Sequence, residues 1–80
     1  GESVVHPDAT VENSEIGEDV YVLGGTEIVD SSLERSVVFG NATVRDADVR
    51  DSIIDEETVV DGLDLSGALI GAHSRLTNDG

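Results

Sequence analysis

Residues 36–51 read SVVFGNATVRDADVRD and residues 52–67 read SIIDEETVVDGLDLSG, so two consecutive blocks of 16 residues carry aliphatic side chains at matching places. A third block begins at residue 68 with ALIGAHSRLTNDG. One Val, Ile or Leu falls at every fifth or sixth position, and the same spacing extends back to residue 5 with one extra residue near the start. The positions are Val5, Val11, Ile16, Val22, Ile28, Leu33, Val38, Val44, Val49, Ile54, Val60, Leu65, Ile70 and Leu76.

This spacing excludes the two commonest regular patterns. A helix needs apolar residues three and four apart, and an ordinary hairpin sheet needs strict alternation over longer runs. One inward aliphatic residue per step of five or six describes a triangular prism, in which each flat side is a short strand and each corner is a turn. Three sides form a coil of about 16 residues, and successive coils stack as parallel strands about 4.8 Å apart. The sequence predicts an all-β parallel β-helix of about five coils over residues 1–80.

The residues between the aliphatic positions support corners. A small side chain is expected where the chain turns inward, and all but one of these places hold a small or short residue: Ala9, Ser14, Val20, Thr26, Ser31, Ser36, Ala42, Ala47, Ser52, Thr58, Leu63, Ala68 and Ser74. Leu63 is the exception. Gly, Asn and Asp occupy the neighbouring turn positions, as at Gly40-Asn41 and Asp61-Gly62.

Two segments, Ile16-Gly17-Glu18-Asp19-Val20 and Ile70-Gly71-Ala72-His73-Ser74, resemble the repeat of the hexapeptide-repeat proteins. That resemblance implies a left-handed coil, an exception to the right-handed crossover rule. The segments 11–17, 49–54 and 68–76 are similar to coils of the C-terminal domain of sugar nucleotidylyltransferases, in particular long-form glucose-1-phosphate thymidylyltransferases.

This second resemblance implies that the chain is a C-terminal fragment of a longer enzyme, an expectation that the start at Gly1 without Met also favours. The parent would join a nucleoside triphosphate to a sugar 1-phosphate and release pyrophosphate, with magnesium held by a catalytic domain absent here. We expect the chain itself to be non-catalytic, to have no cofactor and to hold subunits together.

The charge limits the possible partners. Eighteen acidic residues against four Arg give a formal net charge of −14, which repels nucleic acid and anionic membranes. The acids are spread along the chain, so adaptation to a salt-rich cytoplasm of a halophile is favoured over cation binding. There is no Cys and no apolar run of about 20 residues. A cytoplasmic protein is expected.

Few side chains could carry chemistry. His6 and His73 are the only imidazoles and lie in the first and fifth coils, too far apart to share a metal. Surface turns are the expected place for both. A small hexapeptide-repeat acyltransferase, with His73 as a base near a subunit boundary, is the alternative function. The acidic stretch 55–57 could hold calcium but reads as a solvated turn. We predict no catalytic, cofactor or metal site.

The outward positions of one side of the prism are unusually apolar. The residues before and after the inward aliphatics on that side include both aromatic residues of the chain. The predicted interface residues are Val4, Tyr21, Leu23, Val37, Phe39, Ile53 and Leu69. Such a surface on an acidic protein predicts an interface with identical subunits, with a trimer favoured over a dimer, or with the absent catalytic domain.

Overall fold

The computed structural model describes residues 2–78, which form a parallel β-solenoid of about five turns. Its strands, each of two or three residues, are β1 (Val4–Val5), β2 (Thr10–Glu12), β3 (Glu15–Ile16), β4 (Tyr21–Val22), β5 (Glu27–Val29), β6 (Ser32–Glu34), β7 (Val37–Val38), β8 (Thr43–Arg45), β9 (Asp48–Arg50), β10 (Ile53–Ile54), β11 (Val59–Asp61), β12 (Leu65–Ser66), β13 (Leu69–Ile70) and β14 (Arg75–Thr77). No helix occurs in this part of the chain, so none is long and apolar enough to cross a membrane. The predicted fold class is confirmed.

Every third strand joins the same sheet, which gives the prism its three sides. Sheet A has the order β1-β4-β7-β10-β13, sheet B the order β2-β5-β8-β11-β14, and sheet C the order β3-β6-β9-β12. We number the coils 1 to 5 from β1–β3 to β13–β14. Pairing is parallel and in register: Val5 pairs with Val22, 17 residues later, and Val22 with Val38, 16 residues later. The extra residue of coil 1 lies at the corner between Ile16 and Tyr21, as the spacing requires.

The interior consists of the predicted aliphatic ladders. Eight of the fourteen predicted inward residues are buried: Val22, Ile28, Leu33, Val38, Val44, Val49, Ile54 and Val60. Five more are partly buried and pack against them: Val11, Ile16, Leu65, Ile70 and Leu76. Val5 differs, with 38% of its surface exposed, because no coil of the described structure covers it on one side. Burial therefore follows the stacking of coils.

The corners use left-handed backbone conformations. In residues 2–78, nine non-glycine residues and three glycines have positive φ, and six of the nine are Asn or Asp, which tolerate this region. They form three columns: Asn13, Asp30, Asp46 and Gly62; Asp19, Arg35, Asp51 and Gly67; Gly25, Asn41, Glu57 and His73. Gly25, with φ +76°, also needs to be small, because a Cβ there would collide with Oδ1 of Asn41 in the next coil.

The small residues beside the corners connect the coils by hydrogen bonds. The hydroxyl of Ser36 donates to the carbonyl of Glu34 (2.8 Å) and accepts from the N–H of Ser52 (3.2 Å) in the following coil. Ser52 repeats the arrangement with the N–H of Ala68 (3.0 Å). Among the described residues, every buried side-chain oxygen or nitrogen has a partner. These serines relay hydrogen bonds along the solenoid, a role beyond the small size that the spacing predicted.

Candidate functional site

The predicted interface residues lie together on the outer surface of sheet A. Parallel pairing joins the first residue of each strand into one column: Val4, Tyr21, Val37, Ile53 and Leu69. The residues that follow these strands form a second column in which Leu23 and Phe39 are neighbours. We call these seven residues the apolar strip. The structure therefore brings together all seven residues that the sequence singled out.

The strip is exposed because its side chains point away from the aliphatic ladders. Leu69 is 79% exposed, Val4 56% and Tyr21 45%, while Val37, at the centre, is half-buried by its neighbours. The next residue along each strand belongs to the interior; Ile54, for example, has no exposed surface. This alternation follows from the pleat of a β-strand, in which successive side chains point to opposite faces.

The second column of the strip is short. The N–H groups of His6, Leu23, Phe39 and Asp55 all donate to the following coil in equivalent ways, which shows that these residues occupy equivalent places. Its apolar part therefore covers coils 2 and 3 and is bounded by His6 in coil 1 and Asp55 in coil 4. The apolar surface is widest around Tyr21, Leu23 and Phe39. This boundary was missed in the sequence, although the equivalence of residues 6, 23, 39 and 55 could have revealed it.

An ion pair borders the strip at the preceding corner. The Arg35 guanidinium donates two hydrogen bonds to the Asp51 carboxylate, of 2.7 and 3.1 Å, and also lies 3.2 Å from Glu34. The hydrogen bond from Arg35 and its positive charge hold the pKa of Asp51 below its usual range, and the same contacts raise the pKa of Arg35. Asp51 follows Arg35 by 16 residues, which is one coil, so stacking of the corners creates this pair.

The other two sides of the prism are mostly polar, although sheet B carries the half-buried outward residues Val29 and Val59. On sheet C the outward side chains are Glu15, Ser32, Glu34, Asp48, Arg50, Asp64 and Ser66. On sheet B, Arg45 contacts Glu27 at 3.0 Å. The apolar strip is thus confined to one side of an otherwise charged molecule.

The two histidines lie in exposed turns at opposite ends of the solenoid. His73 Nδ1 is 3.2 Å from the Glu57 carboxylate of the coil before it, and the His6 Nδ1 accepts a hydrogen bond from the N–H of Asp8 (3.0 Å). Asp55 caps its own turn by accepting from the N–H of Glu56 (2.7 Å). No group of three potential metal ligands occurs within residues 2–78. Each of these side chains has a local structural partner.

No family model matches this sequence, and no curated protein matches it.

Proposed function

We propose that this chain is a non-catalytic oligomerisation domain of a sugar-1-phosphate nucleotidylyltransferase. The parent enzyme would combine a nucleoside triphosphate with a sugar 1-phosphate and release pyrophosphate, using magnesium bound by its catalytic domain. The resemblance of three segments to the C-terminal coils of glucose-1-phosphate thymidylyltransferases supports the parent activity. The solenoid would provide a rigid support on which subunits meet.

The observation that carries the oligomerisation role is the exposed apolar strip on a chain of net charge −14. Fully burying one large aliphatic or aromatic side chain contributes about 1.5 to 3 kcal/mol. Because the seven side chains are roughly half exposed, covering one strip gains on the order of 5 to 10 kcal/mol. Association itself costs about 4 to 15 kcal/mol, and two strips gain about 10 to 20 kcal/mol, so the gain exceeds the cost over most of these ranges.

Identical copies are the proposed occupants of the strip. A symmetric trimer would place each sheet A toward the axis, which buries like residues against like residues. Sheet C would then remain outside, where its carboxylates stay solvated. Screening of the acidic surface by salt reduces the repulsion between copies, so the assembly is expected in concentrated potassium chloride.

Light scattering of the purified chain in molar potassium chloride tests this proposal. We expect an oligomer for the natural sequence, and folded monomers for Val37→Asp and for Ile53→Asp. Val59→Asp is the matched control: Val59 is also an outward, half-buried strand residue, but it lies on sheet B. Asp48→Ala, on sheet C, is a second control, and both controls should remain oligomeric. A monomeric natural chain would refute self-association through the strip.

The non-catalytic role has its own test. We expect no turnover when the chain is incubated with glucose 1-phosphate, deoxythymidine triphosphate and magnesium, because no described cluster combines a nucleophile, a base and an anion site. Formation of pyrophosphate above a blank reaction would contradict it.

A further inference from the structure

A hollow adjoins the apolar strip at the corner that precedes sheet A. Its volume is about 480 Å³, and it spans coils 2 to 4. One wall is apolar and belongs to the first column of the strip, while the other wall includes the ion pair of Arg35 and Asp51. We call this feature the corner hollow; its lining residues are Asp19, Tyr21, Arg35, Val37, Asp51, Ser52 and Ile53.

Phe39 lies at the opposite edge of sheet A and is 37% exposed. Its backbone is fixed by two hydrogen bonds: its N–H donates to the carbonyl of Ile54 (2.9 Å), and its carbonyl accepts from the hydroxyl of Thr26 (2.8 Å). Gly40 follows at the corner and has no side chain that could cover the aromatic ring. The ring is therefore presented at a fixed place on the edge of the strip.

Phe39 does not fill the corner hollow of its own chain. Val37 lines the hollow, and Phe39 lies two residues further along, at about 6.6 Å in the strand direction. Side chains two residues apart in a strand project from the same face, so the ring stands beside Val37 and points away from the sheet. The ring and the hollow are thus on opposite sides of Val37, at the same level of the solenoid.

The ring and the hollow are chemically complementary. Tyr21, Val37 and Ile53 offer apolar surface on which an aromatic ring can pack. The Arg35 guanidinium is held by its two hydrogen bonds to Asp51 (2.7 and 3.1 Å), yet 48% of its side-chain surface is exposed. A guanidinium plane attracts the face of an aromatic ring, and a plane already held in place loses little side-chain entropy when a ring stacks on it.

We propose that Phe39 of one copy inserts into the corner hollow of the next copy, with the solenoids parallel and at the same level. This inference rests on the proposed self-association through the apolar strip and specifies which residues meet. Rotation about an axis parallel to the solenoid brings the second column of one strip against the first column of the next. An antiparallel pair would instead place Phe39 against Phe39. In the proposed trimer, each copy contributes one Phe39 and one hollow.

Mixing two variants tests this arrangement. Phe39→Asp removes the side chain that inserts but keeps the hollow, whereas Ile53→Asp blocks the hollow but keeps Phe39. Each variant alone should be monomeric, and the mixture should form 1:1 pairs and nothing larger, because one intact junction remains. Sedimentation velocity in molar potassium chloride, at protein concentrations up to the millimolar range, measures the masses. Circular dichroism checks that both variants are folded.

Two further mixtures provide the controls. Phe39→Asp with Val37→Asp should pair in the same way, because Val37 also lines the hollow. Val37→Asp with Ile53→Asp should stay monomeric, because both variants lack a usable hollow. A natural chain that assembles while Phe39→Asp and Ile53→Asp do not pair would overturn this inference and leave the proposed oligomerisation role in place. A monomeric natural chain would overturn both.

A tryptophan reads the insertion directly, because the natural chain contains none. Phe39→Trp is made in the Ile53→Asp background, so the reporter has no usable hollow of its own. Adding an excess of Phe39→Asp should shift the fluorescence maximum to shorter wavelength as the indole leaves water, whereas an excess of Ile53→Asp should not. No shift, or equal shifts with the two additions, would contradict insertion into the corner hollow.

Discussion

Ile53 and Ile54 are consecutive residues of β10 whose side chains point to opposite sides of sheet A. Ile54 is completely buried, whereas Ile53 is 41% exposed in the apolar strip. Replacing each with Ala removes the same three carbon atoms from the same strand. The two substitutions therefore isolate the contribution of the interior from that of the strand.

The expected losses differ because only one substitution leaves a cavity. Ile54→Ala removes three buried carbons at about 0.8 kcal/mol each and leaves a hole between coils 3 and 5, so we expect a loss of about 3 to 4 kcal/mol. Ile53→Ala removes partly solvated carbons and opens no cavity, so about 1 kcal/mol is expected in the monomer. A domain of this length has about 4 to 12 kcal/mol of total stability, so the first change removes a large fraction of it.

Equilibrium unfolding by urea in molar potassium chloride measures both free energies, at a protein concentration low enough to keep the chain monomeric. Circular dichroism of the β-sheet signal reports the transition. A loss for Ile53→Ala equal to that for Ile54→Ala would show that the inward and outward assignments of β10 are wrong, and with them the basis of the apolar strip.

Three further predictions concern the corners and the charge. Gly67→Ala, at a positive φ with free space around it, should lower the free energy of unfolding by about 1 kcal/mol. Gly25→Ala should lower the free energy of unfolding and the melting temperature more, because its Cβ also meets Asn41. Equal melting temperatures for the two variants would contradict this. Because the hydrogen bond from Arg35 lowers the folded pKa of Asp51, the stabilisation by this pair is present above the unfolded pKa of about 4 and is lost as the pH falls through the lower folded value. The stability difference between the natural chain and Asp51→Asn should thus shrink in acid, and an Arg35→Gln background should abolish that change. With a net charge of −14, the melting temperature should rise from low to molar potassium chloride, and a constant value would count against the halophile interpretation.

The aliphatic spacing predicted the architecture because burial of the interior imposes the same requirement on every coil. Each side of each coil needs one inward aliphatic residue, and a slip of one residue would turn Ile54 outward and Ile53 inward. The single extra residue near Gly17 was visible as a change of step, and the structure places it at a corner, where an insertion does not disturb pairing. The hand of the coil has no equivalent in the spacing, and only the resemblance to hexapeptide-repeat proteins supplied it.

Other features depend on contacts between coils that a linear pattern does not express. Ser36 and Ser52 were identified as small residues, but their hydrogen bonds to the next coil require knowledge of how the backbone turns. Val5 is exposed because it lies in the first coil. The aliphatic spacing is the same in every coil, so it does not distinguish Val5 from the buried residues of the middle coils. The contact between Arg35 and Asp51 could have been found by aligning residues 16 apart at a corner.

The apolar strip could be predicted because the outward positions alternate with the inward ones along each strand. Its first column, from Val4 to Leu69, followed from the repeat. The limits of its second column at His6 and Asp55 followed from the hydrogen-bond series of the structure. The proposed covering of the strip by a second copy is not encoded in the spacing of one chain. The variants Val37→Asp and Val59→Asp test it.

Every strand of the solenoid pairs only with the strands one coil before and one coil after it. The molecule is therefore a one-dimensional array, in which an end coil has one interface and a middle coil has two. Opening an end breaks one interface, whereas opening the centre breaks two, so local unfolding starts at the ends and moves inward. Amide hydrogen exchange in this chain should accordingly be slowest in coil 3 and fastest in coils 1 and 5.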